Sequence, residues 1–354
     1  MNRSKKLLWI GFGGVGRELA RILTSRDFHA KCPEKLFTVT GIATASSGVL
    51  YEKSGLDLGR ALTEKETLGE FSPDNPSRRP WDTDRLITES EYDILVEMSP
   101  LSIEQCGQPA LRYMEAALKT GRSCVSANKG PLAFAYCRLA QLASSGNAEI
   151  RFESTVMDGA PVFNLVRYGM RGCRVLQVEG ILNATSNFVL SRMERGESMP
   201  EAIRQAQLAG FAEADPSHDI EGWDAAAKIS VLSNVLLGSE ITPLEIPRDG
   251  IHEVTIEQAR KAVQNGKRLK LVARASRTAD GSRGDFKTRG DAEVVEAAVE
   301  LKELPLEDPF ARVPDQGSIL RIYTDLMGPL TIQQEAPTLS DTAYGVLNDL
   351  LEIA

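Results

Sequence analysis

A glycine-rich segment directly after a short apolar run is the feature that most restricts how this chain folds. Residues 11–16 read Gly-Phe-Gly-Gly-Val-Gly, which matches the pattern GxGxxG, and residues 7–10 before them are Leu-Leu-Trp-Ile. A strand, this turn and a helix that opens within it form the fingerprint of a dinucleotide-binding βαβ unit. A glycine-rich turn that holds no ligand would share the pattern, so the motif alone leaves that alternative open.

The motif glycines have separate roles in such a turn. Gly11 permits the tight turn, Gly13 lets the backbone approach a pyrophosphate, and Gly16 lets the helix pack on the strand. The start of the helix offers unpaired N–H groups and partial positive charge to the phosphates. The motif therefore predicts cofactor contacts at Gly11, Gly13, Gly14, Val15 and Gly16.

The first 150 residues alternate short apolar runs with stretches of helical spacing, which is typical of a parallel sheet with crossover helices. We therefore predict an α/β fold whose first domain, residues 1–150, is a Rossmann-type NAD(P)-binding domain. Three prolines within residues 71–80 predict an exposed loop there. The predicted strands are 7–10, 37–43, 93–98 and 122–127, and the predicted helices are 15–25, 104–119 and one that ends near residue 145.

The pattern changes after residue 150, where helical stretches mix with strands as in an α+β domain. Glycines indicate a turn at 280–284, and a Met-Gly-Pro sequence at 327–329 indicates a hairpin. The predicted helices are 158–170, 199–210, 221–237 and 341–353, and the predicted strands are 174–182, 268–275, 318–323 and 330–334.

Composition and charge exclude other classes of protein. The 354 residues include 41 Lys+Arg and 49 Asp+Glu, and the net charge of −8 disfavours binding to nucleic acid. No apolar run approaches the roughly 20 residues of a membrane span, so no membrane partner is expected. The five cysteines form no CxxC pair, which is typical of a reduced, cytoplasmic protein with buried thiols.

The end of the second predicted strand bears on the choice of cofactor. An acid at this position would grip the ribose hydroxyls of NAD, but residues 43–47 read Ala-Thr-Ala-Ser-Ser and the first acid is Glu52. Without a carboxylate there is no repulsion against a 2′-phosphate, which serine and threonine hydroxyls could bind. Lys53 is the nearest cation in sequence, and we therefore favour NADP over NAD.

The densest group of ionisable residues lies between residues 210 and 228. Asp224 and Lys228 are four residues apart on a predicted helix and so share one face. Lys228 precedes an almost wholly apolar run, which predicts partial burial and a pKa lowered towards that of a general acid. Three interpretations remain open at this point: an exposed acidic loop with an ordinary surface pair, a carboxylate-bound divalent metal, and an active site with Lys228 as proton donor.

Several motifs, taken in order, resemble one known family over nearly the whole chain. The chain resembles homoserine dehydrogenase in its short form, which lacks a C-terminal regulatory domain. Besides the acidic segment ending in Lys228, the motifs are Gly-Phe-Gly-Gly-Val-Gly at 11–16, Ala-Asn-Lys at 127–129, Glu-Ser-Thr-Val-Met-Asp-Gly-Ala-Pro at 153–161, Glu-Gly-Ile-Leu-Asn-Ala-Thr-Ser-Asn-Phe at 179–188 and Glu-Asp-Pro-Phe-Ala at 307–311.

The resemblance implies an NAD(P)-dependent oxidoreductase that interconverts L-aspartate 4-semialdehyde and L-homoserine, on the route to threonine, methionine and isoleucine. Lys228 matches the family's catalytic lysine, and Asp224 matches the aspartate that hydrogen-bonds the substrate beside it. Glu213 and Asp219 match acids around the substrate's amino group. The resemblance adds cofactor contacts at Ser99, Lys129, Gly210 and Gly345.

The resemblance also implies a domain plan. It makes residues 151–334 a substrate-binding and dimerisation domain of a homodimer, and it suggests that the helix within 335–354 returns to the nucleotide domain. The family binds a monovalent cation, Na+ or K+, mainly through backbone carbonyls at positions that correspond to Glu153, Val156, Asp158 and Ala160. An exposed carboxylate at Asp158 is expected, where many members have small residues.

Two other functions stay open from the sequence. One is a different amino-acid or semialdehyde dehydrogenase of the same two-domain build, and the other is a nucleotide-sensing protein without turnover. The segment 185–187, Thr-Ser-Asn, is expected to form a loop over the nicotinamide, with a helix cap as the alternative.

Overall fold

The computed structural model describes residues 4–31, 36–278 and 294–354. Contacts within the chain divide it into two compact units. Unit 1 comprises the described residues up to Phe163 together with Leu339–Ala354, and unit 2 is Asn164–Thr338. The predicted turn at 280–284 lies outside the described residues.

The described part of the chain alternates strands and helices through unit 1 and is richer in long strands through unit 2. The strands are β1 Lys5–Ile10, β2 Phe37–Thr44, β3 Gly48–Tyr51, β4 Arg78–Arg79, β5 Ile94–Glu97, β6 Ser123–Ser126, β7 Ile150–Arg151, β8 Val175–Ile181, β9 Lys267–Thr278, β10 Val294–Pro305, β11 Ser318–Thr324 and β12 Leu330–Gln334. The helices are α1 Gly14–Thr24, α2 Arg26–Lys31, α3 Leu58–Leu68, α4 Thr83–Glu89, α5 Ala110–Lys119, α6 Gly130–Gly146, α7 Val162–Asn164, α8 Ala184–Glu194, α9 Met199–Leu208, α10 Ser217–Ile220, α11 Trp223–Leu236, α12 Ile256–Gln264 and α13 Leu339–Ile353.

Unit 1 is built on a seven-stranded sheet with the order β4-β3-β2-β1-β5-β6-β7. The pairs β2–β1, β1–β5, β5–β6 and β6–β7 are parallel. At the other edge, β3 pairs with β2 and β4 pairs with β3, both in antiparallel orientation. The strand order reverses at β1, so the carboxyl ends of β1 and β5 flank a topological switch point, where ligands bind in open α/β sheets. The predicted α/β class with a Rossmann-type parallel sheet is therefore confirmed.

Helix α13 packs in unit 1 although about 175 residues separate it from the rest of that unit. Its apolar face joins the same buried core as strands β1, β2 and β5, and the Ser340 hydroxyl donates to Glu18 of α1 at 2.6 Å. The residues that α13 buries in this core are Ala343, Val346, Leu347 and Leu350.

Some predicted boundaries in unit 1 are wrong for local reasons. The helix expected over 104–119 begins only at Ala110, because Cys106 and Gly107 have φ angles of 51° and 77°, which a right-handed helix does not allow. The proline-rich segment 71–80 is not simply an exposed loop: Phe71 is fully buried, and Arg78–Arg79 forms the edge strand β4.

Unit 2 is built on a five-stranded antiparallel sheet with the order β10-β9-β8-β11-β12. The helices α8, α11 and α12 all pack against β9. The hairpin expected around 327–329 is confirmed, since β11 and β12 pair on either side of it. The helix expected over 158–170 is instead the short α7 followed by a π-helical turn at Leu165–Gly169.

The described cysteines and helices bear on two predictions made from composition, the burial of the thiols and the membrane span. Cys124 is buried, but Cys106 is exposed and Cys137 and Cys173 are intermediate, so buried thiols are not the general rule expected. All four are free. Among the helices that the structure describes, none combines the length and the apolar character needed to cross a membrane.

Candidate active site

The glycine-rich turn in unit 1 leaves the start of α1 open. Gly11 has φ +97°, and a Cβ placed there would lie 2.6 Å from the Met98 carbonyl oxygen at the end of β5. A Cβ at Gly13 would touch nothing within 4 Å, and no side chain caps the start of α1 at this residue. The exposed backbone and uncapped helix start fit a bound phosphate group.

A buried acid organises the next strand end, next to the switch point. Glu97, the last residue of β5, is fully buried, and its Oε1 accepts hydrogen bonds from the Ser99 backbone N–H at 2.7 Å and from the Ser99 hydroxyl. Asn128 donates to the Ser99 Oγ at 3.3 Å and to the Pro100 carbonyl at 3.2 Å. Two predicted cofactor positions, Ser99 and the helix-capping Lys129, thus belong to loops that Asn128 connects.

The environment of Glu97 is electrostatically unusual. Burial raises the pKa of Glu97 to about 7, against the lowering effect of the hydrogen bonds from Ser99 and Asn128. Its Oε2 atom is buried and has no hydrogen-bond partner among the described residues. Glu97 was not among the predicted site residues, although an acid at the end of the run 94–97 was a visible signal in the sequence.

Strand β2 has no carboxylate, and two cations from other elements, Lys65 and Arg17, lie near its carboxyl end. Lys65 of α3 donates to the Ser47 hydroxyl, and to the Gly69 carbonyl at 2.6 Å. Burial, and next the positive charge of Arg17, lower the pKa of Lys65, while Glu70 acts in the opposite direction. Lys53, the cation expected here from the sequence, pairs with Glu91 and follows β3 towards the other end of β2.

A chain of hydrogen-bonded side chains forms the candidate site in unit 2. The Lys228 Nζ lies 3.0 Å from Asp224 Oδ2 and donates to the Leu182 carbonyl at 2.7 Å. The Asn183 side-chain amide donates to Asp224 Oδ2 at 2.9 Å and to Asp219 Oδ1 at 2.6 Å. The end of β8, the short α10 and the first turn of α11 therefore meet at one cluster of two acids, one amide and one lysine.

The cluster is largely withdrawn from water. The side chains of Lys228 and Asp224 are 18% and 13% exposed, which agrees with the partial burial expected for Lys228. Burial, and next the charge of Asp224, raise the pKa of Asp219, while hydrogen bonds from Asn183 and Thr185 and the charge of Lys228 lower it. An acid pair in this setting attracts a cationic ligand strongly, because the screening of charges is weak there.

Other predicted residues of unit 2 lie outside this cluster. The Glu213 side chain is exposed, and the Glu213 backbone carbonyl accepts a hydrogen bond from Gln207 at 3.0 Å. Gly210 has φ +84°, and a Cβ there would meet nothing within 4 Å. Asn183 was not among the predicted site residues, although an asparagine just before a helix is a common N-cap signal.

The segment 184–194 is helix α8 and not the loop expected over the nicotinamide. Asn183 caps it by accepting from the Ser186 N–H at 2.7 Å. Asn187 is buried, donates to the Asp315 carbonyl at 2.7 Å and accepts from the Lys270 ammonium at 2.7 Å. Burial lowers the pKa of Lys270 to about 8. These buried partners satisfy the polar side chain of Asn187 within α8.

The segment that was expected to bind a cation lies against α13 in unit 1. Asp158 has φ +48°, is half-buried and accepts a hydrogen bond from the Thr342 hydroxyl at 2.8 Å, so the exposed carboxylate expected there is wrong. The Ala160 carbonyl accepts from the Val162 N–H at 2.8 Å. A Cβ at Gly345 would lie 2.3 Å from the Ser154 Oγ, so close packing alone requires this glycine.

The part of the chain that the structure describes contains no side-chain metal centre. Within residues 4–31, 36–278 and 294–354, no three His, Cys, Asp or Glu residues are grouped as metal ligands. The acidic segment near Asp219 therefore does not have the ligand set of the carboxylate-bound divalent ion considered from the sequence.

The fold and these side chains define a nicotinamide-dependent dehydrogenase: a dinucleotide-binding sheet in unit 1 and an acid–lysine cluster in unit 2. Comparison with known proteins identifies the family. The family model of homoserine dehydrogenase matches residues 161–351. The NAD(+)-dependent homoserine dehydrogenase of Pseudomonas canavaninivorans is 32% identical over 353 residues, covering 98% of this chain and 96% of that protein. The chain belongs to the homoserine dehydrogenase family.

Two further comparisons agree with that family. The homoserine dehydrogenase of Methanocaldococcus jannaschii is 31% identical over 348 residues, with 98% of each chain covered. The structure of a hyperthermophilic archaeal homoserine dehydrogenase in complex with NADPH superimposes with a TM-score of 0.78 at 27% identity, covering 99% of this chain and 97% of that one. The chain is thus an NAD(P)-dependent oxidoreductase of this family.

Proposed function

We propose that this enzyme interconverts L-aspartate 4-semialdehyde and L-homoserine, with Lys228 as the proton donor and acceptor. The observation that carries the proposal is the contact between Lys228 and Asp224 at 3.0 Å, with the half-buried Asp219 joined to Asp224 through Asn183. When bound, the reduced nicotinamide supplies a hydride to the aldehyde carbon. Negative charge then develops on the aldehyde oxygen, which the Lys228 ammonium stabilises and protonates to the alcohol.

The acids around Lys228 have two tasks in this proposal. Asp224 keeps the Lys228 ammonium in place through their ion pair, and the Leu182 carbonyl holds the same nitrogen from the strand end. Asp219 binds the ammonium group of the substrate, a demand that a plain 2-hydroxy acid would not make. Glu213 is a further candidate for that ammonium group on the strength of its family position, from an exposed part of the loop.

Turnover of several aldehydes distinguishes this proposal from the two alternatives, a different amino-acid or semialdehyde dehydrogenase and a nucleotide-sensing protein without turnover. The reduced-nicotinamide absorbance is followed with aspartate 4-semialdehyde and with aldehydes that lack the α-amino group. We expect a kcat/KM at least about a hundredfold higher for the amino-aldehyde, since an aldehyde without the amino group leaves the partly buried acids without a cationic partner. A preference for another aldehyde would indicate a different dehydrogenase, and cofactor binding without any turnover would indicate a sensor.

We propose that unit 1 binds the dinucleotide at the glycine-rich turn and prefers NADP. Gly11, Gly13, Gly14, Val15 and Gly16 would hold the pyrophosphate, and the loops of Ser99 and Lys129 would hold the nicotinamide end. The cations Lys65 and Arg17 repel each other at the end of β2, and a 2′-phosphate would relieve that repulsion. The family positions of Gly210 and Gly345 add two candidate backbone contacts.

We further propose that a monovalent cation binds the backbone carbonyls of Glu153, Val156, Asp158 and Ala160. The left-handed conformation of Asp158 and its bond from Thr342 fix the turn that carries these carbonyls. Such an ion would stabilise the packing of α13 and would take no part in proton transfer. A higher midpoint of thermal unfolding in Na+ or K+ than in a bulky organic cation, at equal ionic strength, tests the site.

The quaternary state that we propose is a homodimer formed through the sheet of unit 2. Apolar side chains are exposed near the ends of its strands: Val294, Leu326 and Met327 are 47%, 72% and 42% exposed. Closed two-fold dimers are the commonest assemblies of such enzymes. Light scattering during size-exclusion chromatography gives the molar mass, and a value near 38.6 kDa would contradict the dimer.

A further inference from the structure

We propose that Asn183 is a positioning residue for the reaction, an uncharged clamp that holds Asp219 and Asp224 side by side and so keeps their two roles separate. The inference rests on the proposed function of this cluster and extends it to a residue with no role in that proposal. It comes from the hydrogen bonds that surround the Asn183 side chain.

The Asn183 side chain has two N–H donors, and each is directed to a different acid. One donates to Asp219 Oδ1 at 2.6 Å and the other to Asp224 Oδ2 at 2.9 Å. The Oδ1 atom accepts from the Ser186 N–H at 2.7 Å and caps α8. Asn183 is only 5% exposed, and both of its N–H donors are bonded to acids. It therefore acts on the substrate only through Asp219 and Asp224.

Asn183 is uncharged, so it leaves the negative charge of the Asp219–Asp224 pair in place. Two half-buried carboxylates that share one amide repel each other, and a lysine or arginine between them would remove the repulsion by neutralising them. A neutralised pair would no longer attract the ammonium group of an amino-acid substrate. An amide lowers the repulsion through its two donors and leaves the net negative charge of the pair for the substrate and Lys228.

The position of Asn183 also links the clamp to the lysine. Leu182, the residue before it, supplies the carbonyl that accepts from Lys228 at 2.7 Å. Two consecutive residues between β8 and α8 therefore fix both ends of the Asp224–Lys228 pair. Thr185, in the first turn of α8, bonds Asp219 as well.

Replacement of Asn183 by serine removes the clamp and keeps the helix cap, because serine is an equally good N-cap residue. We expect kcat/KM for homoserine to fall about a hundredfold in Asn183→Ser, the effect of losing a charge-assisted hydrogen bond to each acid. The KM for the dinucleotide, which unit 1 binds, should stay within about twofold. Thr185→Val, which removes the hydroxyl that bonds Asp219, should raise the KM for homoserine and leave kcat near the wild-type value.

Asn183→Asp provides the test that a purely structural role would fail. It keeps the shape and the capping oxygen, but it places a third acid where the two donors were. In the direction of aldehyde reduction, which uses the ammonium form of Lys228, we expect near-complete loss of activity at neutral pH and partial recovery as the pH is lowered, since a protonated carboxyl can donate one hydrogen bond. Activity equal to the wild type at neutral pH would show that Asn183 only caps α8, and would overturn the inference.

A measurement without substrate separates this inference from the proposed function. The carboxyl group of Asp219 is titrated by carbon-13 NMR in the wild type and in Asn183→Ser. Loss of a donor to the ionised form should raise the pKa of Asp219 further in the variant. An unchanged or lower pKa would overturn the clamp whatever substrate the enzyme uses, while failure of the wild type to oxidise homoserine would count against the proposed function only.

Discussion

Lys228 Nζ lies 3.0 Å from Asp224 Oδ2, one helical turn earlier on α11, and donates to the Leu182 carbonyl at 2.7 Å. The ammonium group is thus held from two directions, by a side chain on its own helix and by the backbone at the end of β8. Groups held on rigid elements in this way keep the narrow geometry that proton transfer demands.

Loss of the Lys228 ammonium should remove catalysis and leave the fold intact. We expect Lys228→Met to lower kcat by at least about a thousandfold, because it removes both the proton donor and the stabilising charge. The Kd of the dinucleotide, measured by quenching of nicotinamide fluorescence, should not change. Lys119→Met is the matched control, since Lys119 also faces an acid one turn away, Glu115 at 3.7 Å, but is 56% exposed. Equal losses in the two variants would refute the role of Lys228.

The two directions of the reaction should depend oppositely on pH. Homoserine oxidation needs a neutral Lys228 to accept the hydroxyl proton, so its kcat should rise with pH well above neutral. Aldehyde reduction needs the ammonium form and should fall over the same range. Lys228→Arg keeps a cation that does not lose its proton, and its residual oxidation should show no such rise. A flat profile for the wild type would rule out lysine as the base.

Lys65 should decide between the two dinucleotides. We expect Lys65→Ala to raise the Kd for NADPH by about tenfold or more and to change the Kd for NADH by less than about twofold, because only NADPH carries the 2′-phosphate. Isothermal titration with each dinucleotide gives these values. Lys53→Ala is the control: this lysine pairs with Glu91 and lies towards the opposite end of β2. A parallel weakening of NADH and NADPH binding in Lys65→Ala would contradict the proposed phosphate site.

Glu97 should make the stability of the protein depend on pH. Its pKa is raised from 4.5 to about 7 in the folded state, so the folded state holds a proton that the unfolded state has lost. The free energy of unfolding should therefore decrease as the pH rises from about 5 to about 8, by roughly 2–3 kcal/mol from this group. Glu97→Gln should lack that part of the decrease in urea unfolding. An identical pH dependence in both proteins would show that Glu97 ionises normally.

The glycine at 345 should not tolerate even a methyl group. A Cβ there would lie 2.3 Å from the Ser154 Oγ and 2.9 Å from the Asp158 carbonyl, so Gly345→Ala should destabilise the protein by about 1–3 kcal/mol. At Gly59, in helix α3, a Cβ would meet only the end of the Asp57 side chain at 3.3 Å. Gly59→Ala should therefore be neutral or stabilise by up to about 1 kcal/mol. Thermal unfolding of the two variants compares them, and equal stabilities would contradict the tight contact.

The local parts of the fold followed from the sequence. The strand–turn–helix at 7–25 and the helix that pairs Asp224 with Lys228 depend on spacing within a few residues, which sequence patterns report directly. The edge strands β3 and β4 were missed, because they are short and because β3 depends on pairing with β2 and β4 on pairing with β3.

The parts that sequence patterns missed depend on distant partners. The segment 185–187 was expected to form a loop because residues 180–183 lead directly into it, but it lies in helix α8. A buried partner satisfies the polar side chain of Asn187, as an asparagine inside a helix requires. The partner is Lys270, which donates to Asn187 at 2.7 Å from 83 residues away. Asn183 and Glu97 were overlooked for the same reason. The contacts of Asn183 with the two acids and the burial of Glu97 arise only when the folded chain brings distant residues together.

The position of α13 has a consequence for synthesis. The helix supplies Val346, Leu347 and Leu350 to the core around β1, which emerges from the ribosome more than three hundred residues earlier. A nascent chain can complete the fold of unit 2 while the nucleotide-binding unit still has an open apolar flank. That flank stays exposed until α13 is translated, and it is the surface that a chaperone would have to shield in the meantime.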